Sequence, residues 1–137
     1  MTQTNRRPVP YDAVRTRTCE IWFDRMLFGR YLPRAEVTLD DARVNVEVCL
    51  HLTSRRAVPT LVDLRDIASQ TAEARAHFAG PAAALVASAV AIVVGCAVSR
   101  EQGDFYLALA RPLKPTRVFA SEADAAAWLA TLLAPAT

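Results

Sequence analysis

The sequence predicts one α/β domain in the order β-β-α-β-α-β-α-β-α, a mixed, largely parallel sheet flanked by helices. Three observations predict it. Two short apolar runs, Pro59–Leu64 and Ala89–Val94, read as strands buried on both faces, which is how parallel strands look in sequence. Capped segments with helical spacing alternate with such strands, and that alternation calls for right-handed crossovers over a sheet. Finally, the chain has 137 residues, 53% hydrophobic and 22% charged. That is enough for one core without disulfides or metal.

The opening MTQTNRRPVPYDAVRTRT lacks the apolar stretch of a signal peptide. Its prolines, arginines and threonines read as a flexible leader over residues 1–17, ahead of a domain over 18–134. TCEIWFDRMLFGRYL, from Thr18, is rich in aromatic and β-branched residues with a break near Asp24-Arg25, so it reads as a hairpin that Pro33 ends.

The next segment supports two readings. Val44, Val46, Val48, Leu50 and Leu52 alternate with polar residues, as in a strand. Leu39, Ala42, Val46, Cys49 and Leu50 also share one helical face. Thr38 and Asp41 have capping-box spacing, and Asp40 and Asp41 suit the positive end of a helix dipole. With Arg55-Arg56 at the far end, the helix is the reading taken, over Leu39 to Arg55.

After the strand at Pro59–Leu64, Thr71 is a fitting N-cap for AEARAHFA. Gly80-Pro81 interrupts that helix, which resumes as a second piece through Ser88. Ala89–Val94 is the next strand, and CAVSREQGDFYLALARP shows helical spacing through Val98, Phe105 and Leu109. TRVFA is a short strand. Ser121 with Asp124 caps a final helix whose expected buried face is Ala125, Trp128, Leu129 and Leu132.

These residues carry a family resemblance. The ordered set is LVDLR, then TAEARAHF, AVAIVV, GDFYLALARP and PTRVFASEADAAAWL. It resembles the small bacterial STAS/SpoIIAA-like proteins, also described as STAS/Sec14-like, over Thr18 to Leu133. The resemblance implies a single SpoIIAA-like domain used in regulation or ligand binding, and not catalysis. Anti-sigma-factor antagonists of this kind carry a phosphorylatable serine in an Asp-Ser-Ser-Gly loop. The corresponding residues here are Ser69-Gln70-Thr71-Ala72-Glu73, with Thr71 opposite the motif's Asp and Ala72 and Glu73 opposite its serines. The phosphoacceptor is missing, so the resemblance does not carry phosphorylation switching to this chain.

Function classes narrow accordingly. A net charge of +2 gives no composition argument for nucleic acid. Cys19, Cys49 and Cys96 are odd in number and widely spaced, which suits free thiols in a reducing cytoplasm and neither a disulfide framework nor a metal site. His51 and His77 have no nucleophile near them in sequence, and no phosphate loop, GxSxG or HExxH pattern occurs. No catalytic residue, cofactor or metal is therefore expected. The 22 uncharged residues Phe78 to Ser99 are long enough to span a bilayer, but their Ala, Gly, Ser and Pro content favours a buried strand with short helices, and no span is expected.

Asp63, Arg65 and Asp66 fall at the carboxyl end of a central strand, where ligands of open α/β sheets bind, and Ser69, Thr71, Glu73 and Arg75 follow at the same edge. One reading makes this loop the contact surface for an unidentified protein partner. The other makes Asp63 and Arg75 a structural ion pair joining strand to helix. Trp22, Phe23, Phe28 and Tyr31 suggest an aromatic surface on the hairpin and a homodimer through it. The small residues from Ala82 to Val98 suggest an alternative function, a Sec14-like site for a hydrophobic small molecule.

Overall fold

The computed structural model describes residues 6–95 and 113–133. Its elements are β1 (Val14–Arg15), β2 (Cys19–Asp24), β3 (Met26–Tyr31), β4 (Glu36–Val37), α1 (Leu39–Leu52), β5 (Val58–Asp63), β6 (Ser69–Gln70), α2 (Ala72–Phe78), α3 (Pro81–Ala84), β7 (Ala87–Val93), β8 (Thr116–Phe119) and α4 (Glu122–Ala130). Among the described residues the expected α/β order holds, with β1, β4 and β6 as added short strands. The helix expected around Val98–Leu109, and Cys96, lie outside the described residues.

The main sheet has the order β1-β2-β3-β5-β7-β8. β1, β2 and β3 are antiparallel neighbours, while β3, β5, β7 and β8 run parallel. Side chains alternate between the two faces of each strand. Ile21, Leu27 and Ile92 face α1, α2 and α3, where Val46, Leu50 and Ala74 meet them. Trp22, Phe28, Leu61, Ala91 and Val93 face the other way and are covered by Ala125 and Leu129 of α4.

Local chemistry explains the boundaries. The capping box of α1 is complete: Asp41 N–H donates to Thr38 Oγ1, and Thr38 N–H donates to Asp41 Oδ2 at 2.9 Å. The helix stops at Leu52, earlier than the Arg55 expected from sequence. Ser54 and Arg55 take left-handed φ of 53° and 59°, and Arg55 N–H bonds back to Leu50 O, which closes the helix end. Thr71 and Ser121 cap α2 and α4 as expected, each accepting from the backbone N–H three residues on.

Three further expectations are corrected. Ser88 lies in β7, because α3 is a single turn without a side-chain cap and pairing with β5 begins at Ala87. Leu132 is 45% exposed, because it follows the end of α4 and is not on the buried stripe of Ala125 and Leu129. The hairpin does not present an aromatic surface: Trp22, Phe28 and Tyr31 are buried, and Phe23 alone reaches solvent, at 37% exposure. Trp22 stacks on Phe28 with centroids 5.3 Å apart. β1 also covers part of the β2 edge, pairing Val14 with Ile21 and Arg15 with Glu20. No helix among the described residues is long and apolar enough to cross a membrane.

Candidate functional site

The parallel register gathers charge at one end of the sheet. Arg30 of β3 lies beside Asp63 of β5, Asp63 beside Val93 of β7, and Val93 beside Phe119 of β8. Four strands therefore end together, and the residues just beyond them converge. Arg65 follows β5, Gly95 follows β7, and Glu122 follows the Ser121 cap after β8.

Asp63 is 2% exposed and is neutralised on two sides. Its Oδ1 accepts from Arg65 N–H and Nε, both at 3.0 Å, and its Oδ2 accepts from Arg65 Nη2 at 2.7 Å. Arg30 Nε lies 3.6 Å from the same carboxylate. Glu122 Oε2 completes the network, 3.4 Å from Arg30 Nη2 and 3.5 Å from Arg65 Nη2. Asp66 at the rim takes Arg6 Nη1 at 2.7 Å. Gly95 is needed where it is, since a Cβ there would meet Arg65 Cγ at 2.8 Å.

The charges balance: Arg6, Arg30 and Arg65 against Asp63, Asp66 and Glu122. Burial alone would raise the Asp63 carboxyl, but the hydrogen bonds and charge of Arg65, helped by Arg6, hold it below the usual carboxylate range. The Asp66 carboxylate in turn raises Arg6. Asp63 and Arg6 are thus fixed in their charged states at neutral pH, which does not suit general acid or base chemistry.

The predicted loop residues divide into two places. Asp63, Arg65 and Asp66 belong to this ionic junction. Ser69, Thr71, Glu73 and Arg75 form a separate ledge leading into α2. The expected Asp63–Arg75 pair is not formed: Asp63 is taken by Arg65 and Arg30, and Arg75 Nη1 donates to Gln70 O at 2.8 Å. Sequence reasoning missed Arg30, Glu122 and Arg6. The first two carried a usable signal, since both sit near carboxyl ends of parallel strands, the rule that selected Asp63.

The ledge is exposed yet held firmly. Ala68, Ser69, Thr71, Ala72 and Glu73 face solvent. Their backbone is tied down by β4–β6 pairing of Glu36 with Ser69 and Val37 with Gln70. Ala68 N–H donates to Ala35 O at 2.9 Å and Thr71 N–H to Val37 O at 3.0 Å. Thr71 Oγ1 accepts from Ala74 N–H at 3.0 Å.

An apolar cavity of about 120 Å³ lies between the sheet and α1–α3, lined in part by Cys19, Tyr31, Cys49, Phe78 and Ile92. Ala83, Ala84, Val86, Ala87 and Val90 of the small-residue run also line it. Burial raises the Cys19 thiol well above its ordinary value and pushes Cys49 up to about 12, so neither is a ready nucleophile. Among the described residues no group of His, Cys, Asp and Glu could hold a metal ion.

A family model, DUF7793, described as a domain of unknown function, matches residues 20–133. No curated protein matches the sequence. A similar solved structure is that of an uncharacterized protein from the DUF3478 family with a SpoIIAA-like fold, from Shewanella loihica PV-4. It is 14% identical, covers 81% of this chain and 91% of its own, and superposes with a TM-score of 0.54. At that identity the likeness establishes the SpoIIAA-like fold.

Proposed function

The chain belongs to the DUF7793 family, and from that premise we propose a non-enzymatic regulatory domain that binds a protein partner through the ledge between β5 and α2. One observation carries this reading: Ser69, Thr71 and Glu73 are exposed on a backbone that β4–β6 pairing and the Thr71 cap already hold in place. A surface ordered before binding loses little entropy on contact, which favours specific protein recognition. The free thiols Cys19 and Cys49 suit a reducing, cytoplasmic setting.

The hydrophobic-ligand reading draws less support. A cavity of about 120 Å³ falls short of the roughly 300–1,000 Å³ typical of small-molecule sites. A dimer through the hairpin loses its main motive with Trp22, Phe28 and Tyr31 buried.

The test places a photoreactive side chain at Ser69 in the native host and, as a control, at Ala127 on the exposed side of α4. The expected result is one protein captured repeatedly at Ser69, lost with Glu73→Arg and absent at Ala127. Equal capture at both positions, or capture indifferent to Glu73, overturns the reading.

A further inference from the structure

Arg6 and Arg7 lie across the ionic junction, and they are held as a binding site holds an extended peptide. Arg6 Nη1 donates to Asp66 Oδ2 at 2.7 Å. The Arg7 peptide N–H donates to Glu122 Oε1 at 2.7 Å, and the Arg7 carbonyl accepts from Arg30 Nη2 at 2.7 Å. The Arg7 guanidinium sits 4.9 Å from the centroid of the Phe28 ring. Two side chains thus read both backbone groups of one residue, a carboxylate takes the preceding arginine, and an aromatic face takes the second.

We propose that this junction is a receptor for an extended peptide bearing two adjacent arginines, filled in cis by Arg6-Arg7 and opened when a partner's dibasic segment displaces them. Charge supports the choice of occupant. Without Arg6, the site holds two guanidiniums, Arg30 and Arg65, against three carboxylates, Asp63, Asp66 and Glu122, and so attracts a cation. Pro8 and Pro10 keep the strap extended, since proline fixes its own φ and disfavours helix before it. The strap's fit is imperfect. Arg6 Nε and Arg30 Nε are buried with no hydrogen-bond acceptor among the described residues, which leaves a desolvation cost that a better-fitted peptide recovers. A shallow depression lined by Arg6, Arg7, Glu122 and Ala123 gives access beside the strap. This site is separate from the Ser69–Glu73 ledge, so each reading can fail alone.

The experiment uses the full chain carrying Arg6→Ala and Arg7→Ala, titrated with a fluorescent peptide of sequence TNRRPVPYD, residues 4–12. Anisotropy should show at least tenfold tighter binding than to the unaltered chain. A peptide with both arginines replaced by alanine should not bind, and adding Asp66→Asn should weaken binding of the arginine peptide at least tenfold. A folded double variant that ignores the arginine peptide, or binds the alanine peptide equally, overturns the proposal. Hydrogen exchange of the Arg7 amide in the unaltered chain gives an answer independent of how the variant folds. Saturating arginine peptide should speed that exchange several-fold, and unchanged exchange overturns the proposal.

Discussion

Arg17, one residue before the hairpin strand's neighbour Thr18, grips both carboxylate oxygens of Asp41, the residue that closes the capping box of α1. Arg17 Nε donates to Asp41 Oδ1 at 2.9 Å, Nη2 donates to Oδ2, and Nη2 also reaches Glu36 O at 2.9 Å. One carboxylate therefore ties the segment before β2 to the start of α1 and to β4. The Arg17 hydrogen bonds, joined by those of Thr38, lower the Asp41 carboxyl from 3.8 to about 2.

This relationship has a pH signature. Because the folded value is depressed, the stabilisation is complete above the unfolded value near 3.8 and is lost as pH falls through about 2. Asp41→Asn should thus lower the melting temperature at pH 5 and above, and the difference should shrink steadily as pH falls from about 4 towards 2. Thermal scans of both proteins from pH 2 to 6 check this. Thr38→Ala, which removes the other half of the box, should cost about 0.5–2 kcal/mol.

The partner of Asp63 can be read by comparing two arginines. Arg65→Ala strips the bidentate partner from a carboxylate that is 2% exposed, and should cost about 3–5 kcal/mol. Arg75→Ala leaves the Asp63 carboxylate its Arg65 and Arg30 partners and should cost markedly less. Urea unfolding midpoints separate these values, and equal costs would restore the Asp63–Arg75 pairing that the loop sequence suggests.

Gly95 and Arg65 should be coupled. Gly95→Ala puts a methyl 2.8 Å from Arg65 Cγ, on a side chain anchored at its far end by Asp63, and should cost about 1–3 kcal/mol. In an Arg65→Ala background the same change should cost markedly less. A double-mutant cycle with purely additive costs would refute the crowding.

Two leucines near the end of the chain should differ sharply. Leu129→Ala opens a hole in a fully buried position and should cost about 2–5 kcal/mol. Leu132→Ala, at a position 45% exposed, should stay within about 0.5 kcal/mol. Chemical denaturation of the two variants gives the comparison directly.

Sequence reached β5 and β7 because central parallel strands leave a visible apolar run, and it reached α1, α2 and α4 through their caps. The contested helix shows how. Val44 through Leu52 alternate as a strand would, yet Val46 and Leu50 are buried while Val44 is 51% exposed, a helical stripe that the Thr38–Asp41 box had marked. β1, β4 and β6 escaped because a two-residue strand exists only by virtue of its partner. The site was half legible for a related reason. Asp63, Arg65 and Asp66 lie together in sequence, whereas Glu122 is 57 residues from Arg65 and Arg6 is 60 from Asp66. Only the parallel register and the path of the strap bring them together.

The order of strands across the sheet follows their order along the chain, β1-β2-β3-β5-β7-β8. During synthesis each new strand can therefore dock on the one made before it, with no slot to be held open. The helices on the two faces keep different schedules. α1, α2 and α3 are made between the strands they cover, so their face closes as the sheet grows. The opposite face, with Trp22, Phe28, Leu61, Ala91 and Val93, waits for α4, which follows every strand. Until α4 is made, the part of this face that Ala125 and Leu129 cover stays open, although Val9 and Ala13 already pack on the same cluster, and open apolar surface of that kind favours self-association or capture by a chaperone.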